Sequence, residues 1–284
     1  MRELPPGNEP PDVPPPKEWE VNLSFPLFYN SNAEQLPSGG TQTLEYNPDV
    51  SLSWEHHLQG TNLTVLGTAD VNSDHFAHSV NADLDTTYAE LELRYDRNPD
   101  DRYELKPFVR YRLTFDFSPV FGIRQDTLND ISIGALKRWR LRDGDHPLIA
   151  SVEFYAQRRF KDSRQPTPDT YVSPSSYALV ASPGLGYGIG GGWTAEARVQ
   201  VVGRLFDAKQ SFVRRDLDVS PVLKLKYLPT ASQLKGTSLA DIYDRVLGGP
   251  ELTFQVATYQ QVSNRTNSRF SQWQVGPSVN CSWL

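Results

Sequence analysis

Basic residues recur at even spacing: Lys106, Arg110 and Arg112 in KPFVRYR, Arg138 and Arg140 in RWR, Lys224 and Lys226 in KLK. Acidic residues do the same earlier in the chain, as Glu45, Asp49 and Glu55, then Asp70, then Glu90 with Glu92. An even spacing puts side chains on one face of an extended chain, whereas a helix would spread them around its circumference. Charges held this way do one of two things. Opposed across a water-filled space, acidic and basic walls set up a transverse field that orients polar solutes. In contact, they neutralise one another and fill the space. Arg159, Arg198, Arg204, Glu153, Glu196 and Asp218 fall between the two groups.

Other reactive side chains are few. Cys281 is the only cysteine, which excludes an intrachain disulfide and a cysteine-based metal site. His56, His57 and His146 lie at the ends of alternating segments or between them. DHFAH (74–78) brings Asp74, His75 and His78 together, either as a weak metal cluster or, more simply, as exposed loop histidines. No metal and no cofactor is expected. The 28 Lys and Arg and 34 Asp and Glu form no long runs, so no nucleic-acid partner is expected either.

Strands are the elements that must hold the charges. ELKPFVRYRLTFDF (104–117) sets Leu105, Pro107, Val109, Tyr111, Leu113, Phe115 and Phe117 against Lys106, Phe108, Arg110, Arg112, Thr114 and Asp116. The same period recurs in 18–30, 43–54, 61–71, 87–96, 130–141, 147–160, 177–189, 193–206, 217–227, 251–262 and 270–284, giving about twelve strands. No stretch approaches the roughly 20 apolar residues of a membrane-spanning helix. That leaves a β-barrel open, because only alternate residues of a barrel strand meet lipid. A soluble β-sandwich predicts strands of about five or six residues. Here the runs are commonly ten or longer, close to the roughly 9–11 that cross a bilayer at a tilt.

The links alternate in length. QGT, NPDD, RDGD and GIGGG are tight, Gly-, Asn- and Asp-rich hairpin turns. DHFAHSVNADLD, SPVFGIRQDTLN, KDSRQPTPDTYVSPSS and DAKQSFVRRD are longer. One turn breaks the rule, 229–250, where SLADIYDRVLGG predicts a short helix about 238–247, capped by Ser238 and stopped by Gly248 and Gly249. PDVSLSW, PVLKLKY and PSVNCSW form a weak repeat whose prolines, Pro48, Pro221 and Pro277, are expected near bulges or the rim. Residues 1–17 read as a Pro-rich flexible leader with no apolar signal-peptide core. Met1, the sole methionine, fits an initiator placed where a signal peptide has been removed.

In this pattern residues 18–284 resemble the bacterial outer-membrane β-barrel proteins. Their last strand commonly ends in an aromatic that the assembly machinery recognises, and Trp283 is the penultimate residue here, followed by Leu284. The resemblance implies an all-β fold: a transmembrane up-and-down antiparallel β-barrel of about twelve strands, set in a bacterial outer membrane with the lipid bilayer as its partner. Trp54, Tyr227 and Trp283 end oily faces and are expected in the aromatic belt at the membrane–water boundary.

The expected function is a narrow channel for small polar or charged solutes. Its basic lining would be Lys106, Arg110, Arg112, Arg138, Arg140, Lys224 and Lys226, facing the acidic lining Glu45, Asp49, Asp70, Glu90 and Glu92. The alternative is a structural or export barrel plugged by salt bridges, which anchors a periplasmic partner through the leader or the short helix. A third reading is an outer-membrane lipid hydrolase. QQVSNRTNSRFSQW (260–273) resembles in composition a loop of the outer-membrane phospholipase family, yet Gln261 stands two before Ser263 where that family has histidine. A serine without a general base is no nucleophile, so no catalytic residue is expected.

Overall fold

The computed structural model describes residues 18–98, 101–163, 172–208, 213–229 and 250–283. The expected leader (1–17) and short helix (238–247) lie outside these residues. The described elements are β1 (Trp19–Asn30), β2 (Thr43–Tyr46), β3 (Asp49–His57), β4 (Leu63–Phe76), β5 (Leu84–Tyr95), β6 (Lys106–Phe117), β7 (Arg124–Arg142), β8 (Leu148–Ser163), β9 (Val172–Gly190), β10 (Trp193–Ala208), β11 (Arg215–Tyr227), β12 (Glu251–Ser263) and β13 (Phe270–Trp283). Two single-turn 3-10 helices, Val80–Ala82 and Thr266–Ser268, sit in loops.

Each strand pairs antiparallel with its neighbour in sequence, and β13 returns to pair with β1 from Val21↔Trp283 to Asn30↔Gln274. β2 and β3 are two halves of one wall position, since β1 pairs with β3 over residues 19–24 and with β2 over 27–30. The result is a closed twelve-stranded barrel. Closure leaves no unpaired sheet edge, which is the condition for strands to lie in lipid.

The break between β2 and β3 falls at Asn47 and Pro48, where proline removes a ladder donor. The seam between β1 and β13 depends on a glycine: a Cβ on Gly276 would stand 1.9 Å from the Leu27 carbonyl oxygen. The β9–β10 hairpin turns on Gly190, Gly191 and Gly192, all with positive φ, a region that side-chain-bearing residues seldom adopt.

The alternation seen in sequence becomes inside and outside. On β6, Pro107 and Val109 are exposed while Lys106 and Phe108 are buried. Leu91, Val109, Ile133, Leu179, Leu223 and Phe254 are among many large apolar side chains exposed around the wall. Of the buried side chains, most are polar. This inversion of the soluble pattern, oily outside and polar inside, is what a lipid solvent demands. The small apolar cluster of Ala178, Val180 and Val202, with Tyr155 packed against it, lies within the wall of β8, β9 and β10.

Candidate functional site

Register determines what the inner face can do. β5 and β6 pair so that Glu92 stands beside Arg110 and Glu90 beside Arg112. These are contacts, not charges opposed across a space. Arg110 donates to Glu92 Oε2 from Nε (2.9 Å) and Nη2 (2.6 Å), and from Nη2 to Glu153 Oε1 on β8 at 3.1 Å. Arg112 holds Glu90 at 2.6 Å. Glu92 also takes Arg94 at 2.7 Å, and Glu153 takes Arg198 of β10 at 3.4 Å. The Arg110 guanidinium lies over the Phe108 ring, 4.5 Å from its centroid. The belt thus runs from β5 through β6 and β8 to β10, Glu90, Glu92 and Glu153 each serving two cations and Arg110 common to all three.

Other expected basic residues divide between paired and unpaired. Lys106 meets Asp96 at 2.6 Å, Lys226 meets Glu196 at 2.9 Å, and Arg140 donates to the Tyr103 hydroxyl at 2.8 Å and meets Asp143 at 3.2 Å. Arg138 and Lys224 have no ion-pair partner among the described residues. The acidic residues are held differently. Glu45 accepts from two amides, Asn30 Nδ2 and Gln274 Nε2, both at 2.6 Å. Asp70 is buried and accepts from Asn72, while Asp49 pairs in register with Asn72 across β3 and β4.

Within the expected lining, Glu90 and Glu92 are thus in contact with Arg110 and Arg112 rather than opposed to them across a space, because the ladder register puts these opposite charges directly beside one another. Asp218 takes Arg204, both of them among the charges noted in the sequence. Asp130, Asp216 and Asp126 are carboxylates that the even-spacing argument passed over: Asp130 takes Arg159 at 2.7 Å, Asp216 takes Arg214, and Asp126 takes Lys161 at 2.6 Å.

Two cavities open on the inner face. One, of about 560 Å3, lies against β7 to β10 and is lined by Arg138, Glu153, Glu196 and Arg198 beside Gly184 and Gly186. The alternate glycines of β9 leave that part of the wall without side chains. The other, of about 440 Å3, lies against β12, β13, β1 and β2, with Asn30, Gln255, Tyr259, Gln272 and Gln274 among its lining residues. Gln255, Gln272 and Gln274 are visible in QVATYQQ and FSQWQV as alternate residues, although a reading for charge and nucleophiles passes over them.

The expected belt residues gather at the end with the tight turns. Trp54 lies 5.9 Å from Trp19 and Tyr227 lies 4.6 Å from Trp193, ring centroid to centroid, while Trp283 pairs in register with Val21. DHFAH is not brought together. Asp74 lines the β12–β2 cavity, whereas His75 pairs in register with the exposed Tyr46. His75 Nε2 is 3.0 Å from the Ser73 hydroxyl, which itself donates to Asp85. Among the described residues no group of three metal-ligating side chains forms. Ser263 is buried and its hydroxyl accepts the Arg265 N–H, while Gln261 donates to the Ser268 carbonyl.

No family model and no curated protein matches the chain. Among solved structures it is similar to an outer membrane channel from Pseudomonas putida F1, with a TM-score of 0.56 at 9% identity over 97% of this chain and 99% of that one. The transport unit of the autotransporter AIDA-I from Escherichia coli has a TM-score of 0.46 at 9% identity, covering 96% and 93% of the two chains. The translocator domain of the autotransporter NalP from Neisseria meningitidis has 0.45 at 11%, covering 94% and 89%. At such identities the first likeness concerns the fold, and the other two add nothing to it. A closed wall, an apolar exterior and a polar interior are together those of a membrane-spanning β-barrel, and the fold is similar to that of an outer-membrane channel.

Proposed function

We propose that the barrel is a narrow channel for small polar solutes. The observation that supports this best is the pair of cavities, about 440 and 560 Å3, on the inner face, the second lined in part by the belt's own Glu153 and Arg198. Twelve strands lie between the eight whose interior side chains fill and the sixteen that leave a wide aqueous pore. The belt would then be the constriction, with solutes passing beside it rather than through a strong field. Its side chains also support a second reading, a barrel closed by mutual ion pairs and serving as an anchor in the envelope.

Planar-bilayer recording separates the two. The channel predicts discrete conductance steps, and Arg110→Glu combined with Arg112→Glu shifts ion selectivity toward cations. Absence of conductance above baseline from a folded, heat-modifiable sample overturns the channel and leaves the closed barrel.

A further inference from the structure

The inner wall is chemically divided. The charged half runs over β5 to β8 and β10, with most of its ions in contact. Across β12, β13 and β1 the inward positions from Thr253 to Ser263, Phe270 to Ser282 and Asn22 to Asn30 carry amides, hydroxyls and aromatic rings, with Pro26, Ala257 and Gly276 between them, and no charge; Glu251 precedes them at the start of β12 and accepts from Thr253 and Asn280. This stretch backs the cavity of about 440 Å3, which β2, β4 and β11 complete with Glu45, Asp74 and Lys224.

Much of this wall is organised before any ligand arrives. Asn30 and Gln274 clamp Glu45, and Asn47 donates to Asp74, so both carboxylates are occupied by amide donors. Asn280 accepts from Ser24 at 2.8 Å and from Ser278 at 2.9 Å, and donates to Thr253 at 3.2 Å. Against this fixed frame stand side chains with nothing to bond. Gln255, Gln272, the Tyr259 hydroxyl and Lys224 line the cavity and have no hydrogen-bond or ion-pair partner among the described residues. Gln272 is only 6% exposed, so its amide has few places to find a partner other than the cavity.

An amide offers both donors and an acceptor without charge, which matches a hydroxyl that is itself donor and acceptor. Phe28, Tyr259 and Phe270 add apolar ring surface in the same cavity, suited to the C–H face of a sugar ring. A polar group that recognises a hydroxyl also rejects an analogue lacking it, because the group is then left unpaired. From this juxtaposition we infer that the β12–β13–β1 wall is a binding site for neutral polyhydroxylated solutes of about mono- to disaccharide size. This rests on the channel reading for its role in passage, and on the cavity alone for its role in binding.

The test pairs transport with binding, using maltose as the neutral solute and gluconate as its charged counterpart. Proteoliposomes with the native barrel take up maltose faster than gluconate, and maltose reduces single-channel current. Gln255→Leu with Gln272→Leu lowers maltose flux at least about tenfold and abolishes the current block, since each lost hydrogen bond is worth up to about tenfold, while ion conductance stays within about twofold. Tyr259→Phe, which removes a single hydroxyl and disturbs packing least, weakens the block in the same direction and covers the case in which the double variant fails to fold. Conductance with no preference for maltose, or a block unchanged in both variants, overturns the inference and leaves the channel standing. If there is no conductance, calorimetric titration of maltose into the detergent-solubilised protein decides. Heat that disappears in Tyr259→Phe keeps the site and overturns the channel, and no heat overturns both.

Discussion

Replacing Glu92 with glutamine tests whether the belt holds the barrel together. The Glu92 side chain is 4% exposed, and it receives Arg110 at 2.6 Å and Arg94 at 2.7 Å. At an effective dielectric of about 20, a unit pair roughly 3 Å apart gains about 5 kcal/mol before desolvation is subtracted. Breaking a buried pair from one side typically costs about 3–5 kcal/mol, because a charge is left behind. Arg110 is not left alone, however: Glu153 stays at 3.1 Å and Glu90 at 3.4 Å. The expected loss for Glu92→Gln is therefore about 2 kcal/mol, below that range. A cycle with Arg110→Gln, read by reversible urea unfolding in lipid vesicles with tryptophan fluorescence, should give a coupling energy of similar size. The partly exposed pair of Arg140 and Asp143, with side chains 29% and 70% exposed, should give under about 0.5 kcal/mol. A Glu92–Arg110 coupling no larger than that of the exposed pair would refute the belt as a stabilising element.

Gly276→Val should prevent seam closure, since its Cβ would meet the Leu27 carbonyl at 1.9 Å, whereas Gly203→Ala, with nothing within 4 Å, should fold normally. Electrophoresis without heating reads both, and a compact heat-modifiable band from Gly276→Val would count against the seam geometry. In the loop after β1, the Ser79 hydroxyl and then Thr41 hold the Glu34 carboxyl down at about 2 from an ordinary 4.5. A carboxyl lowered on folding stabilises the loop contact above pH 4.5 and loses that contribution as pH falls toward 2. Thr41 amide exchange should accelerate across that window, and Ser79→Ala should move the Glu34 midpoint upward. A wild-type midpoint at 4.5, followed by NMR in micelles, would remove the basis of this account.

The fold was legible because lipid reads a strand one residue in two. Lys106–Phe117 agrees with the alternating segment at 104–117, and the twelve alternating segments coincide with twelve wall positions. Legibility failed where both faces are polar. β7 begins at Arg124 rather than 130, and β9 reaches back to Val172 rather than 177, because RQDTLN and VSPSS carry little oily signal. Arg110 and Glu92 stand out in the sequence as alternates, but their partners depend on register. A ladder shifted by two residues would pair the same side chains differently and leave the sequence pattern untouched. That is why contact, rather than opposition, could not be read from spacing.

Contact has a consequence for selectivity. A field across a pore needs separated walls of opposite sign, and Arg110 placed 2.6 Å from Glu92 cancels most of what either would project into the lumen. Ions would then gain little by entering, while a solute that needs directional hydrogen bonds would gain from the uncharged wall. Gln255, Gln272 and Tyr259, not the arginines that dominate the sequence pattern, would then set which solutes linger. The arginines would act by packing: through Glu153 they tie β6 to β8 and β10, hold that side of the barrel firm, and keep the opposite cavity from collapsing.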